Sequence, residues 1–411
     1  MTFVKKSADL TPIVDTVFVI VDKAKKDIAE NGPENVVDAT IGSLYDEEGK
    51  LVAFDSVFNH YDEIDHKVKA AYASSFTGNP DYREAVYNWV TQGQSIKLNH
   101  SVIATPGGSG AVSSAITTFL DTKETLIIPD IAWGSYSLMA HENGIEYVTY
   151  SMFDGDSFNI NSLKETVTSI QEKQDHVVLI LNDPCHNPTG YSLTIEEWKE
   201  LISFLNEASK KTPIVLIDDI AYIDYSNNLE HVRDYMETFN DISENVLITV
   251  AFSCSKTMTS YGLRCGAAVV LAQKKEDVRE AEIILEKKAR ATWSNIPNAA
   301  MKNFSYIITE DKDAFLKEKQ EYIDLMKKRS DIFLQESKEC GLDTYPYKEG
   351  FFVTLRIDDN NLRDKIHEAF LNQHIYTVKV NHGIRVAVCS LPVKKVYGLA
   401  KKMKEIEEEI Q

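Results

Sequence analysis

Three stretches of this chain put reactive side chains where a buried strand would end, and a fourth offers a glycine-rich start to a helix. After the apolar residues 177–181 come Asn182, Asp183, Pro184, Cys185, His186, Asn187, Pro188, Thr189 and Gly190. After 214–217 come Asp218, Asp219, Ile220, Ala221 and Tyr222. After 246–252 come Ser253, Cys254, Ser255 and Lys256, with Arg264 further on. The fourth stretch, Thr105-Pro106-Gly107-Gly108-Ser109-Gly110, leads into a helical pattern near Ala111. Singly, each has a bland reading. Asn-Pro-Thr-Gly is first of all a turn, Asp219 can cap a helix, a lysine usually sits in solvent, and small residues suit any strand-to-helix corner. Together they offer an amine able to form an imine, a carboxylate able to hold a protonated ring nitrogen, and a helix N-terminus able to cradle a phosphate. Those are the parts that pyridoxal phosphate needs.

The elements that must position these groups follow from patterning. Residues 126–129, 145–150, 177–181, 214–217, 246–252 and 267–271 are rich in Val and Ile without polar alternation, as strands buried on both faces are. Helical stretches separate several of them. Asn79-Pro80 reads as a cap with proline at the first helical position, and Thr194 with Glu197 reads as a capping box ahead of Trp198, Leu201, Ile202 and Leu205. Alternating strands and helices predict an α/β fold: a three-layer αβα large domain around a mostly parallel sheet. From about residue 305 the pattern becomes α+β. It has a long charged helix over 311–336, a strand at 351–357, a helix at 362–371, strands at 376–380 and 385–388, and a charged final helix. The expected division is 45–305 for the large domain, with 1–44 and 306–411 forming a smaller one. In open α/β sheets ligands bind beyond the carboxyl ends of the strands, where the first three stretches lie.

Composition narrows the function classes. Lys plus Arg is 44 and Asp plus Glu is 63, a formal net charge of −19. Such a surface repels nucleic acid and anionic membranes, so any anionic ligand needs a local cluster of cations and N–H groups. The five cysteines, Cys185, Cys254, Cys265, Cys340 and Cys389, are odd in number and none forms a CxxC pair. Reduced thiols in a cytoplasmic protein, with no structural metal, are expected. No run approaches the ~20 apolar residues of a membrane span. The short apolar run 16–21 reads as part of a buried N-terminal element.

Residues 37–391 resemble the fold type I pyridoxal-phosphate aminotransferases, within them the aspartate/aromatic subgroup. The resemblance rests on Ser253–Lys256 with Arg264, on Cys185–Gly190, on 38–50, and on 290–295 and 385–389. It implies the following roles. Lys256 forms the imine with the cofactor and moves the substrate proton. Asp219 pairs with the ring nitrogen, while Tyr222 and Asn187 face the ring oxygen. Trp133 covers the ring, and Gly108, Ser109, Ser253, Ser255 and Arg264 hold the phosphate. Arg385 grips the substrate α-carboxylate, a geometry lysine cannot match. Gly42, Trp133 and Asn187 line the substrate side. Arg290 reaches a side-chain carboxylate, and Tyr72 the phosphate, each from the partner subunit of a homodimer with shared active sites.

The chain departs from the subgroup in places. The spacing from Tyr72 to Gly78 is one residue off. Tyr136 stands where a histidine is common behind the cofactor aspartate, and Asn295-Ile296-Pro297 replaces Asn-Pro-Pro. The expected activity is a ping-pong transfer of an amino group between aspartate or an aromatic amino acid and a 2-oxo acid such as 2-oxoglutarate. A C–S β-lyase, a cyclopropane-forming synthase and a non-catalytic regulatory protein on the same fold are the alternatives.

Overall fold

In chain order the strands are β1 Val37–Asp38, β2 Asn99–Pro106, β3 Thr125–Pro129, β4 Glu146–Tyr150, β5 Phe153–Asp154, β6 Ser157–Phe158, β7 Val177–Leu181, β8 Ile214–Asp219, β9 Val246–Ser253, β10 Cys265–Ala272, β11 Phe352–Arg356, β12 Ile375–Tyr376, β13 Val378–Val380 and β14 Gly383–Ala387. They come from a computed structural model that describes residues 3–5, 9–11 and 16–410. The rest of the expected N-terminal arm, and residue 411, lie outside the described residues.

Seven strands form one sheet in the order β2-β10-β9-β8-β7-β3-β4. All its neighbours pair in parallel except β10, which is antiparallel to both β2 and β9. The doubly buried pattern has its cause here. Val177, Leu179, Leu181, Ile214 and Leu216 point into the core built with Trp198, Leu201 and Leu205. Val178, Ile180, Val215 and Ile217 point the opposite way, onto Ala111, Val112 and Tyr136. Helices therefore cover both faces, and the three-layer α/β expectation holds. The capping box forms in full: the Glu197 N–H donates to Thr194 Oγ1 at 3.1 Å and the Thr194 N–H donates to Glu197 Oε2 at 2.7 Å.

The smaller sheet is β11-β14-β13, beside the 29-residue helix Lys312–Cys340. The parallel pair β1–β12 ties residues 37–38 to this C-terminal part.

Several expectations need correction. β4 is a sheet edge and mostly open to solvent, so it is not buried on both faces. β2 was not expected, because Asn99 and His100 at its start are polar and exposed. The 376–380 stretch is broken at Thr377 into β12 and β13, which serve different sheets. The 16–21 run opens the helix Thr16–Asn31; Ile20 and Val21 are buried, but Phe18 and Val19 are exposed. Asn79 occupies the cap position without a capping bond. Its Oδ1 accepts from the Ser74 N–H at 3.0 Å, and its amide donates to Asn298 at 2.7 Å.

Candidate active site

The carboxyl ends of β7, β8 and β9 lie side by side, and each delivers the group that follows it. β8 ends in two acids that face opposite ways because strand residues alternate. Asp219 points to the face carrying Tyr136, whose hydroxyl donates to Asp219 Oδ2 at 2.7 Å. The Ala221 N–H reaches Asp219 Oδ1 at 3.1 Å. Burial pushes the Asp219 carboxyl up to about 6, against the pull of these two donors. An ionised Asp219 is therefore short of a cation. Asp218 points to the other face and takes a 2.9 Å bond from the Tyr235 hydroxyl.

Asn182, at the end of β7, braces the site and was given no role from sequence. Its amide donates to the Asp219 carbonyl at 2.5 Å, and its Oδ1 accepts the Asn187 N–H at 2.7 Å. That fixes the turn so that the Asn187 side chain stands against the Tyr222 hydroxyl. Asn187 Oδ1 also accepts from Arg385 Nη1 at 3.2 Å.

Lys256 sits in the one-turn helix Cys254–Thr257, capped by the Ser253 hydroxyl, which accepts from the Ser255 N–H at 3.3 Å. Its Nζ donates to the Gly42 carbonyl at 2.7 Å. The ring centres of Tyr261 and Tyr222 lie 4.6 Å and 5.4 Å from the nitrogen. Burial pushes the amine down to about 8, helped by the cations of Arg385 and Arg264. A side chain at position 42 would bring its Cβ to 2.9 Å from the Phe352 ring, so Gly42 keeps this approach open.

Arg385 is buried on β14 with no acidic partner among the described residues. Nη2 donates to the Thr40 carbonyl at 2.8 Å, Nε has no partner, and the guanidinium lies 4.3 Å from the Phe352 ring centre. A buried cation held by neutral groups is costly unless an anion joins it.

The glycine-rich segment starts its helix earlier than the expected Ala111. The helix is Gly107–Phe119, with no side-chain cap, so Gly108 and Ser109 lie in its first turn and their N–H groups lack intrahelical acceptors. Gly107 has φ +71°, and a Cβ there would come within 2.4 Å of Arg264 Nη2. A Cβ at Gly108 would meet that of Ser253 at 3.1 Å. Arg264 Nη1 donates to Ser255 Oγ at 3.1 Å and to the Tyr261 carbonyl at 2.8 Å. The corner thus gathers Gly107, Gly108, Ser253, Ser255 and Arg264, with no carboxylate bonded to the arginine among the described residues. Trp133 stands edge-on to Tyr136, ring centres 5.5 Å apart, on the Asp219 side of the sheet.

Two residues do not join this cluster within one chain. Tyr72 is 85% exposed. Arg290 is exposed too, donating to Ser294 Oγ at 2.8 Å and lying 4.9 Å from the Phe76 ring centre. Besides Asn182, sequence reasoning missed Thr40, Tyr261, Phe351 and Phe352. Asn182 could have been found, since it opens a motif already noted. The other four lie within or beside stretches already noted, Thr40 in 38–50, Tyr261 between Lys256 and Arg264, and Phe351 and Phe352 in the strand expected at 351–357, but their residue types carry no signal of a role.

The chain is similar to known proteins. The aspartate aminotransferase of Escherichia coli (strain K12) is 27% identical over 211 residues, 50% of this chain and 51% of its own length. The aromatic-amino-acid aminotransferase of Paracoccus denitrificans is 26% identical over 239 residues, 57% of this chain and 59% of its own. The chain thus spans little more than half the length of these curated relatives. A crystal structure of an aminotransferase from Anaerococcus prevotii is 35% identical, with a TM-score of 0.95 over 98% of this chain and 99% of that one. An aromatic-amino-acid aminotransferase from Burkholderia pseudomallei, covalently bound to pyridoxal phosphate, shares the fold at 20% identity and a TM-score of 0.79, over 99% of this chain and 100% of that one. Residues 34–402 match the model of the family described as aminotransferase class I and II, and the chain belongs to that family.

Proposed function

We propose that the protein is a pyridoxal-phosphate-dependent aminotransferase acting on aspartate or aromatic amino acids, with 2-oxoglutarate as an amino acceptor. One observation carries this reading: the depressed amine of Lys256 lies under the influence of two cations, Arg385 and Arg264, that have no acid partner among the described residues. An amine beside these two arginines suits a phosphorylated aldehyde on one side and a carboxylate substrate on the other.

The residues fit the cofactor on structural grounds. The Gly107–Gly108 corner leaves room that a Cβ would fill, beside Arg264, Ser253 and Ser255. Asp219, buried and pushed up to about 6, gains from a cationic ring nitrogen. Bound there, pyridoxal phosphate supplies an aldehyde for amine exchange and a protonated ring that draws electron density. Gly108, Ser109, Ser253, Ser255 and Arg264 hold the phosphate, and Trp133 covers the ring. Asn187 and Tyr222 hydrogen-bond the ring oxygen. Lys256 Nζ, its pKa lowered to about 8 so that a larger neutral fraction is present near neutral pH than in an ordinary lysine, takes and returns the proton on the substrate α-carbon. Arg385 fixes the α-carboxylate and so aims that proton at the amine.

In the division into 45–305 and 1–44 with 306–411, Lys256 belongs to the larger part and Gly42 and Arg385 to the smaller. Movement of one part against the other would then open and close the site. Arg290 and Tyr72, exposed in one chain, serve the partner's site in a homodimer. Five free cysteines support a reducing, cytoplasmic setting. Among the described residues no helix is long and apolar enough to cross a membrane.

The test is direct. Protein loaded with pyridoxal phosphate is mixed with aspartate, glutamate, phenylalanine and tyrosine in turn, and each half-reaction is followed by cofactor absorbance. Conversion of the cofactor to its amine form by at least one of them is expected. A protein that binds the cofactor and converts it with none of the four is not this enzyme.

A further inference from the structure

The helix that carries Lys256 is one turn long, Cys254–Thr257, and is followed at once by Thr259 in the left-handed region, φ +47°. A single turn does not hold itself together, because nucleating a helix fixes several dihedrals for one hydrogen bond. Something outside must fix it if the amine is to stay aimed. Neighbours in a helix point about 100° apart, so Ser255 and Thr257 flank Lys256 on opposite sides. Ser255 is tied to Arg264. Thr257 is tied elsewhere: its hydroxyl donates to Asp224 Oδ2 at 2.6 Å.

Asp224 is built for this task more firmly than a chance contact would be. It is buried, and the same Oδ2 accepts from Trp89 Nε1 at 3.0 Å. Its Oδ1 takes Arg233 Nη2 at 2.6 Å. Arg233 is buried too, and its Nε is anchored on the Trp89 and Val90 carbonyls at 3.1 and 3.2 Å. A second buried cation, Lys319 from the long helix Lys312–Cys340, bears on the same carboxylate and holds it ionised together with Arg233. Lys319 Nζ has no hydrogen-bond partner among the described residues and is enclosed by the rings of Tyr225, Phe315 and Phe54, with centres 4.6, 5.2 and 5.4 Å away. Asp224 also lies in Ile223–Tyr225, directly after Tyr222. One short segment therefore carries Asp219, Tyr222 and Asp224.

We propose that Thr257 and Asp224 are positioning residues for Lys256: the buried carboxylate, fixed by Arg233 and Trp89 and faced by Lys319, holds the lysine turn through the Thr257 hydroxyl. This rests on the reading of Lys256 as the cofactor lysine. Thr257 and Asp224 do not touch the reacting atoms. Their effect is on the aim of the amine, hence on turnover rather than on substrate affinity.

The experiment uses the holoenzyme and four variants, Thr257→Val, Thr257→Ser, Asp224→Asn and the double variant Thr257→Val with Asp224→Asn. Valine matches threonine in shape and lacks only the hydroxyl; serine keeps the hydroxyl. Misplacement by a fraction of an ångström lowers kcat by about tenfold or more. Thr257→Val should show that loss with KM unchanged, and should also lose amplitude in the circular dichroism band of the bound cofactor, which reports its fixed setting. Thr257→Ser should restore both. Asp224→Asn in the Thr257→Val background should lower kcat no further. Thr257→Val with wild-type kcat and an unchanged dichroism band overturns the proposal even if Asp224→Asn fails to fold. Equal losses in the serine and valine variants also overturn it, since then only packing matters. A wild-type protein that takes up no pyridoxal phosphate overturns the functional reading, and this inference with it.

Discussion

The hydroxyl of Tyr136 donates to Asp219 Oδ2 across 2.7 Å, in a setting where both side chains are buried. A neutral phenol thus stands behind the carboxylate proposed to meet the ring nitrogen, where the subgroup commonly has a histidine. A phenol gives one hydrogen bond and no charge, and burial lifts its own pKa well above the ordinary value, with the Asp219 charge adding to it. It cannot take the proton from Asp219, so the carboxylate's charge is left for the ligand.

Tyr136→Phe should therefore weaken pyridoxal phosphate binding. A hydrogen bond to a charged group contributes ~1.5–3 kcal/mol, so the Kd should rise roughly tenfold or more. The loss should grow as pH falls toward 6, because Asp219, already raised to about 6, protonates more readily without its donor. Spectroscopic titration of the cofactor-free variant measures this. An unchanged Kd across that range removes Tyr136 from the account.

Lys256→Ala should abolish turnover while leaving cofactor uptake measurable, since the Gly108, Ser255 and Arg264 corner is intact. Borohydride should fix cofactor to the wild-type chain and not to the variant. Full activity in Lys256→Ala ends the assignment.

The amine's lowered pKa gives two pH dependences of known sign. Only neutral amine attacks an aldehyde, so cofactor capture by the empty protein should accelerate as pH rises toward about 8 and level off above it. Between about 8 and 10.5 the unfolded chain keeps a proton that folded Lys256 has lost, so folding stability rises with pH in that window. Lys319, also lowered to about 8, acts in the same sense. Lys256→Met should flatten the rise in part, and thermal melts of the cofactor-free proteins between about pH 7 and about 11, a range that spans that window, decide it.

The two arginines should fail differently. Arg385→Ala should weaken every amino acid by ~1.5–3 kcal/mol or more. Arg290→Ala should weaken aspartate and glutamate and spare phenylalanine and tyrosine. Half-reactions avoid the masking effect of a dicarboxylic acceptor. An untouched aspartate half-reaction in Arg290→Ala makes that residue structural.

Mixing Lys256→Ala with Arg290→Ala subunits tests the shared site. If Arg290 acts across a dimer, one site in each hybrid carries both lesions and the other neither, and aspartate activity partly returns. No return, with subunit exchange demonstrated, counts against the arrangement.

Much of this was legible in the sequence because its causes are local. Val177–Leu181 has no polar residue to compete with a buried strand, and Thr194 with Glu197 forms its capping box within one turn. Lys256 and Asp219 stood out because each follows or ends such a strand, and Arg385 because its segment resembles the family's. What stayed hidden depends on distant chain. β2 opens with exposed polar residues and is a strand because β10 pairs with it. Thr257 looks like any helix threonine until Asp224 is brought beneath it. Tyr72 and Arg290 have no place in a single chain's site, so no intrachain geometry speaks for their roles.

The antiparallel placement of β10 between β2 and β9 has a consequence for how the molecule comes into being. The corner proposed for the phosphate joins Pro106 to Arg264 across 158 residues, one of the longer spans in the sheet. Parallel neighbours such as β7 and β8 are separated by a single crossover helix, whereas β2 must wait until most of the sheet has been synthesised. Closing so wide a loop loses more entropy than closing a short one, so the contact forms late. Pulse-labelled amides of β2 and β10 should gain protection after those of β7 and β8. A phosphate bridging the Gly108 and Arg264 sides would then act on a nearly finished fold as a clasp, and the nascent enzyme would reach its full kinetic stability only after meeting its cofactor.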